Sequence, residues 1–429
     1  MKLIPLSLFL GLTLGLPPGP VRGEATLPPA PPVEDLVLEA LSRAPAIAVK
    51  KARVDAAREM EEPAGALPDP MLELMIQDAG FPDWTVGEME MSMIGPQLSQ
   101  GLPFPGKQGA RKAAAAAATR VRREEMESLR RGVALEVRRL YAEVYAFDRE
   151  AELLDVSRDM VELLAVTVSH HIEAGDMDQE AALKARLLTS RIEERRTNLH
   201  AERTQTVAML NRILDRPAGA DLGVVTELPI PVPPPPDLDS LAEASFAEVI
   251  VRNAGVIAAE KSLRATRLDL RPDFMLGAGV GFRGNLDPVV NLRFGIELPL
   301  WQGKKQRPMI RAARAELDMA REELRDARAT ARAEALRLRA EWIRTEEQVR
   351  RYEESFVPQT SLAFDAARSA YLGQRGDFST VIEDFNMWIE ARTGLAEREA
   401  ERFMAWAGLD ALLHPAPDVA PASIEGETR

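Results

Sequence analysis

Apolar residues along this 429-residue chain recur at two different periods. In the stretch 133–154 their spacing alternates between four and three, which is the pattern of a coiled-coil helix. The residues on this seam are Val133, Val137, Leu140, Val144, Phe147, Ala151 and Leu154. Because the sequence has no proline from Gly106 to Arg216, we predict a helix from Lys107 to about Ala174, roughly 100 Å long at about 1.5 Å per residue. A second helix is predicted from about Met177 to Ile213.

Other stretches alternate apolar and polar residues with a period of two. The apolar members of two such stretches are Val290, Leu292, Phe294, Ile296 and Leu298, and Phe274, Leu276, Ala278, Val280 and Phe282. Each stretch is close to the length of a membrane-spanning β-strand, about 9 to 11 residues, with one side suited to lipid and the other to water. A first pair of strands is predicted at Met71–Gln77 and 88–102. In its second strand Met89, Met91 and Met93 share one parity, and Leu98 and Leu102 share the other.

This plan of elements occurs twice along the chain. Residues 99–108 and 296–305 each close a short apolar stretch with a Gly-Lys pair and open a long charged helix, and Gly303 follows Gly106 at an offset of 197 (303 minus 106). Each half contains a medium helix, two strands, a proline-containing junction, a very long helix, a Gly-Asp turn and another long helix. The remaining predicted helices are 34–62, 241–270, 306–371 and 378–413. Pro358 either kinks its helix or lies at a join between two helices.

The predicted organisation is a signal peptide at 1–23, a first repeat at 24–216, a proline-rich linker at 217–236, a second repeat at 237–413 and a disordered tail at 414–429. Lys2 followed by an apolar run to Leu16 is typical of an export signal. Pro233–Pro236 is typical of a stiff connector between the repeats.

Composition excludes several classes of function. The chain has no cysteine, so it has no disulfide, no thiolate metal site and no acylated N-terminal cysteine. A net charge of −13 argues against a nucleic-acid partner, because phosphate binding requires a basic surface. No nucleophile, general base and orienting partner can be assembled, so we predict neither an enzyme nor a cofactor or metal site. The near match of 101–107 to a phosphate-binding loop fails at its two prolines and at Gln108.

The strands constrain the assembly. Four strands cannot close a barrel, and an open sheet edge is not tolerated in lipid, so a spanning chain must oligomerise. A dimer would supply eight strands, which side chains nearly fill, and a trimer would supply twelve and leave a lumen. The alternative is a periplasmic coiled-coil protein, structural or adaptor-like, that never spans a membrane.

Three features together resemble a known family over nearly the whole mature chain. They are the junction Leu102-Pro-Phe-Pro-Gly-Lys107, the segment Ala66-Leu-Pro-Asp-Pro-Met71 before the first strand, and the paired Gly-Asp turns. The chain resembles the TolC-like outer membrane efflux factors, and its first half is most similar to the heavy-metal branch typified by CusC and CzcC.

The resemblance implies a fold that is mainly α with membrane β: an internally duplicated long-helix α-barrel, with four strands per chain forming a shared 12-stranded barrel in a homotrimer. It implies an outer membrane location in a Gram-negative bacterium, with the helices in the periplasm. The partners would be a periplasmic adaptor, an inner-membrane pump of the RND type and outer membrane lipid. The function would be a passive exit duct gated at its periplasmic tips, for heavy-metal cations or drugs, or alternatively a type I secretion channel.

The resemblance also implies roles for individual residues. The strand-to-helix junctions are Pro103, Pro105 and Gly106 in the first half and Pro299 and Gly303 in the second. Phe104 and Trp301 either belong to an interfacial aromatic belt or pack ordinarily at the junction. The periplasmic tips that contact the adaptor are Gly175, Asp176 and Asp178 in the first half and Gly376 and Asp377 in the second. Glu383 and the weaker candidate Asp384 either form an acidic ring that favours cations or belong to a solvated helix face.

Overall fold

The computed structural model describes residues 28–80, 85–86, 89, 91–173, 179–373 and 375–418. Its helices are α1 (Val33–Arg43), α2 (Pro45–Glu59), α3 (Glu61–Gly65), α4 (Lys107–Glu173), α5 (Gln179–Ile213), α6 (Leu238–Ser245), α7 (Ala247–Leu268), α8 (Gln306–Arg351), α9 (Val357–Leu372) and α10 (Phe378–Leu413). Its strands are β1 (Met71–Gln77), β2 (Met93–Leu102), β3 (Asp273–Arg283) and β4 (Leu286–Glu297). The predicted signal peptide and the end of the predicted tail lie outside the described residues.

The long helices of the two halves match in length. Helix α4 has 67 residues, and α8, a π-helical turn at Tyr352–Phe356 and α9 follow one another without a break and have 46, 5 and 16 residues, which together also make 67. Helices α5 and α10 have 35 and 36 residues. The predicted mainly helical fold with long duplicated helices and four strands is confirmed.

All four strands form one antiparallel sheet in the order β1-β2-β3-β4. Leu72, Leu98, Ala278 and Leu292 lie opposite one another in a row across it. Strand β2 begins at Met93, five residues later than predicted. Ser92 N–H donates to the carbonyl of Met89 immediately before the strand, so the chain turns there instead of extending.

The medium helix predicted in each half is broken. Ala44 separates α1 from α2 and Phe246 separates α6 from α7, with ψ angles of 120° and 124° that are extended, not helical. At Ala44 the cause is Pro45, because the ring of a proline clashes with a helical conformation of the preceding residue. A further break at Met60 introduces the short helix α3.

Pro358 lies in the first turn of α9, directly after the π-helical turn. The N–H of Val357 donates to the carbonyl of Tyr352, five residues back. This wider turn shifts the hydrogen-bond register of the helix by one residue just before Pro358, which has no N–H to donate. The helical path therefore continues through the π turn, and α8 and α9 are not separated by a loop.

Two of the buried apolar clusters lie at different heights of the helical part. One joins α1, the middle of α4, the end of α5 and the proline-rich segment to α10, and Val137, Leu140 and Val144 of the predicted seam are buried in it. The other joins the C-terminal part of α4 and the N-terminal part of α5 to α9 and α10. Burial along α4 thus follows the heptad pattern of the sequence.

Candidate functional site

The sheet has one continuous apolar face that faces solvent. Register brings the even-numbered residues of all four strands to this face: Leu72, Leu74 and Ile76; Ile94, Pro96, Leu98, Gln100 and Leu102; Phe274, Leu276, Ala278, Val280 and Phe282; and Val290, Leu292, Phe294 and Ile296. Leu72 and Leu292 are 73% and 83% exposed. Monomeric soluble proteins rarely leave so large an apolar patch uncovered, and such patches mark contact with protein or membrane.

The opposite face carries mainly polar residues, methionines and glycines. Its members are Met71, Glu73, Met75 and Gln77; Met93, Gly95, Gln97, Ser99 and Gly101; Asp273, Met275, Gly277, Gly279 and Gly281; and Val289, Asn291, Arg293, Gly295 and Glu297. Gly281 allows a close approach, because a Cβ there would lie 2.5 Å from the sulfur of Met93. The conflicting parities of the first hairpin are thereby explained: Met93 lies on the polar face, and Met89 and Met91 lie before the strand.

The first junction, residues 103–107, is tied to the start of β3. Lys107 is 3% exposed, and its Nζ lies 2.8 and 2.9 Å from the two carboxylate oxygens of Asp273 and donates to the carbonyl of Arg271 at 2.9 Å. The backbone N–H of Phe104 also donates to Asp273, at 2.7 Å. Gly106 has a φ of 95°, a conformation that glycine adopts without strain. The ring of Phe104 stacks on Phe274 with centroids 6.5 Å apart.

The second junction, residues 299–305, is built differently. The described glycines with positive φ are Gly106, Gly223 and Gly284, so Gly303 turns the chain without the left-handed conformation of Gly106. The turn is closed by the N–H groups of Lys304 and Lys305, which both donate to the carbonyl of Trp301. Trp301 is 72% exposed. Pro103 directly follows β2, and Pro299 lies two residues after the end of β4, where a proline cannot extend the ladder.

The turn that contains the predicted second tip residues, Gly376 and Asp377, joins α9 to α10. Asp377 occupies the N-cap position of α10 with extended backbone, but no capping hydrogen bond from its side chain occurs in the described part of the chain. Gly376 packs closely, since a Cβ on it would lie 3.1 Å from the Cβ of Ala370. The predicted first tip, Gly175, Asp176 and Asp178, lies outside the described residues.

Near this tip Lys184 of α5 links the two halves. Its Nζ donates to the hydroxyl of Ser379 on α10 at 2.7 Å and pairs with Glu180 at 2.7 Å. The hydrogen bond to Glu180 and the negative charges of Asp377 and Glu383 raise the pKa of Lys184. Glu383 is exposed and Asp384 is half-buried. Asp377 and Glu383, which the sequence analysis named, therefore lie near Lys184, a cation of the first half.

An aromatic cluster behind the tip was missed by sequence reasoning. Phe364, Phe385 and Trp388 pack with ring centroids 5.4 to 6.0 Å apart, and Tyr371 packs on Phe378 at 5.4 Å. Phe364 and Tyr371 of α9 are spaced by seven, and so are Phe378 and Phe385 of α10, which places the two members of each pair on the same side of their own helix. The cluster packs α9 against α10 close to their turn.

Within the described residues, no group of three or more histidine, aspartate or glutamate side chains is placed to bind a metal ion. In the same part of the chain, none of the helices combines the length and apolar character needed to cross a membrane.

The fold matches solved structures at low sequence identity. VceC, an outer membrane protein of Vibrio cholerae, aligns with a TM-score of 0.75 and 15% identity over 90% of this chain and 97% of that one. A membrane protein of Pseudomonas aeruginosa gives 0.77 and 15% over 96% and 99%, and CusC gives 0.71 and 14% over 92% and 95%. No family model and no curated protein sequence matches the chain. CusC matches the chain no better than VceC does, so these comparisons do not favour the heavy-metal branch. The chain has the fold of TolC-like outer membrane channels.

Proposed function

We propose that this chain is the outer membrane channel of a tripartite efflux system, a passive exit duct whose long helices extend through the periplasm. The observation that carries the proposal is the uncovered apolar face of the sheet, joined through two short junctions to helical segments of 67 residues. At about 1.5 Å per residue such helices are roughly 100 Å long.

The sheet supports a shared barrel. Within the described residues its edges are β1 and β4, and in lipid such edges must be paired. Three copies give twelve strands, enough to enclose a lumen. The apolar face then meets lipid, and the face with Asn291, Arg293 and the glycines lines the lumen. A non-spanning periplasmic protein would have to cover the apolar face, and the exposure of Leu292 argues against that alternative.

The helical end supports a gate that opens when partners bind. The expected partners are a periplasmic adaptor and an inner-membrane RND-type pump. The contact between Lys184 and Ser379 crosses from α5 to α10, so it is broken if the two halves move apart at the tip. Three copies of Glu383 around a narrow opening would attract cations and repel anions. A heavy-metal or drug cargo is consistent with this arrangement, and a type I secretion channel would differ in its pump.

The test compares two lysine substitutions on adjacent residues of β4. In Leu292→Lys the charge faces lipid and costs about 2 to 4 kcal/mol near the middle of the membrane, whereas in Asn291→Lys it faces the lumen. We expect the unmodified protein and Asn291→Lys to appear as heat-modifiable trimers in the outer membrane fraction, and Leu292→Lys to be depleted there. A monomer in the soluble periplasmic fraction would overturn the proposal.

Cargo is tested in a strain that lacks the chain. Sensitivity to copper, silver, zinc or cobalt alone favours metal cations, and sensitivity to organic compounds favours drugs. Failure to export a secreted protein, without either sensitivity, favours the type I secretion alternative.

A further inference from the structure

The second junction has the same charged group as the first, but among the described residues no acceptor contacts the side chain of its lysine, Lys304. We infer that a second copy of the chain supplies the acceptor: Lys304 of one copy pairs with Asp69 of the next, and this contact closes the sheet between copies. The inference rests on the oligomeric barrel of the proposed function, and it specifies the contact on which the closure depends.

The contact within the chain provides the pattern. Strand β2 ends beside the start of β3, with Leu102 opposite Phe274. The lysine that follows β2, Lys107, is thereby brought to the aspartate that begins β3, Asp273. A second pair of antiparallel strands can repeat this arrangement if a lysine follows the first strand and an aspartate precedes the second at similar distances from the paired ends.

Lys304 of the second half corresponds to Lys107, and Asp69 of the first half corresponds to Asp273. The second junction is one residue longer, since Lys304 is six residues after Leu298 and Lys107 is five residues after Leu102. The N–H of Lys304 donates to the carbonyl of Trp301 at 3.0 Å, just as the N–H of Lys107 donates to that of Phe104 at 3.0 Å. Asp69 follows Pro68 shortly before β1, as Asp273 follows Pro272 at the start of β3. Lys304 and Asp69 are both exposed, and in the described part of the chain neither side chain has a partner.

Strand direction allows β4 of one copy to pair with β1 of another. Direction alternates through the four strands, so β4 runs opposite to β1. The new pair would therefore continue the antiparallel ladder without interruption. The junction that follows β4 then lies beside the segment that precedes β1 of the second copy.

The side-chain pattern independently fixes the parity of this pairing. Within the chain, Leu102 at the end of β2 lies opposite Phe274 at the start of β3. If Leu298 takes the place of Leu102 and Pro70 of the second copy takes the place of Phe274, Leu298 lies opposite that Pro70. Ile296 is then opposite Leu72 of that copy, and Phe294 is opposite its Leu74. Apolar residues meet apolar residues, so the lipid-facing side continues across the boundary. A slip of one residue would put the apolar set of one strand on the polar face of the other.

The first test reverses the two charges. Asp69→Lys and Lys304→Asp should each lower the temperature at which the trimer dissociates in detergent, and the double reversal should restore it. The control combines Asp69→Lys with Lys305→Asp, so that the new aspartate is one residue away from position 304. This combination should not restore the dissociation temperature. If both double variants dissociate as early as Asp69→Lys alone, the ion pair is refuted.

A second test measures directly whether the two positions lie close together in the assembly. Because the chain has no cysteine, Asp69→Cys and Lys304→Cys can be combined and treated with a short thiol-specific cross-linker. A cross-linker is needed because a direct disulfide requires Cα atoms within about 7 Å. We expect covalent dimers and trimers on a denaturing gel from the double variant and monomers from either single variant. Lys107→Cys with Asp273→Cys should remain monomeric, since that contact lies within one chain.

These results separate the inference from the function on which it rests. If the unmodified chain forms outer membrane trimers but the Asp69 and Lys304 variants give neither restoration nor covalent oligomers, the contact is wrong and the channel proposal stands. If the unmodified chain is a soluble monomer, both are wrong.

Discussion

The guanidinium of Arg138 donates two parallel hydrogen bonds of 3.0 Å each to the carboxylate of Glu34. Its third nitrogen donates to Asp410 at 2.6 Å, and the group lies 5.3 Å from the ring centroid of Trp406. Burial lowers the pKa of Arg138, but the two carboxylates raise it by more. One buried cation thus joins α1 and α10 to the middle of α4, between the sheet and the tip.

We predict that Arg138→Met destabilises the fold by about 2 to 4 kcal/mol. Removing one member of a buried ion pair leaves the other charges uncompensated and costs roughly 3 to 5 kcal/mol, and the partial exposure of Glu34 and Asp410 reduces that figure. The matched control is Arg139→Met, which removes an exposed pair with Glu136 and should cost under about 0.5 kcal/mol. Thermal loss of the helical circular dichroism signal measures both. Equal melting temperatures for the two variants would show that the cluster does not stabilise the fold.

A second prediction concerns the π-helical turn, where Tyr352 packs against Gly394 of α10. A Cβ on Gly394 would lie 2.6 Å from Cε1 of Tyr352, so Gly394→Ala should force the ring aside and cost about 1 to 3 kcal/mol. The double variant Gly394→Ala with Tyr352→Ala should be less destabilised than the sum of the two single changes, because the clash is relieved. The same thermal measurement on all four proteins gives the coupling. Strict additivity would mean that the ring and the glycine do not limit each other.

The sequence patterns predicted the elements well where one period persists. Both ends of helix α10 were predicted at the residues where they occur, and the ends of β4 and α4 were predicted to within a few residues. In such segments an unbroken alternation or heptad repeat allows only one side of the element to be apolar. The first hairpin was harder to predict. Met93 suggests that the odd-numbered positions of β2 are apolar, but Gly95, Gln97 and Ser99 occupy the positions that follow. The π turn has no local signature apart from the proline that follows it.

Contacts between the two halves could not be derived from local patterns. Lys107 and Asp273 are 166 residues apart, and Lys184 and Ser379 are 195 apart. Each contact depends on how the sheet register or the helix packing brings distant segments together. The sequence identified Gly106 and Asp377 as turn residues, but it did not reveal that a buried lysine fastens one junction or that Asp377 leaves its helix uncapped by a side chain.

A third prediction concerns ion selectivity at the tip. If three copies of Glu383 surround the opening, Glu383→Gln should reduce the preference for cations over anions, because it removes three negative charges from a narrow passage. The matched control is Glu390→Gln, an equally exposed change two turns farther along α10. Reversal potentials in planar bilayers under a salt gradient measure the preference. An equal effect of the two substitutions would assign Glu383 to a solvated helix face.

The last prediction concerns the contact that joins the halves at the tip. Lys184→Ala removes the hydrogen bond to Ser379 and the cation that lies near Asp377 and Glu383. Ser379 and Glu383 lie on α10, Asp377 is its N-cap residue, and Lys184 lies on α5. Loss of the attraction between Lys184 and these residues should therefore favour separation of the two helices. We expect higher single-channel conductance and greater passage of large antibiotics into cells than for the unmodified protein.

The control for this prediction is Arg186→Ala, which removes a cation of the same helix that is exposed and has no ion pair in the described part of the chain. Its conductance should be unchanged. Ser379→Ala should reproduce part of the Lys184→Ala effect, because it removes the hydrogen bond but leaves the charge. If Lys184→Ala and Arg186→Ala behave alike while both remain folded trimers, the contact between Lys184 and Ser379 does not restrain the proposed tip.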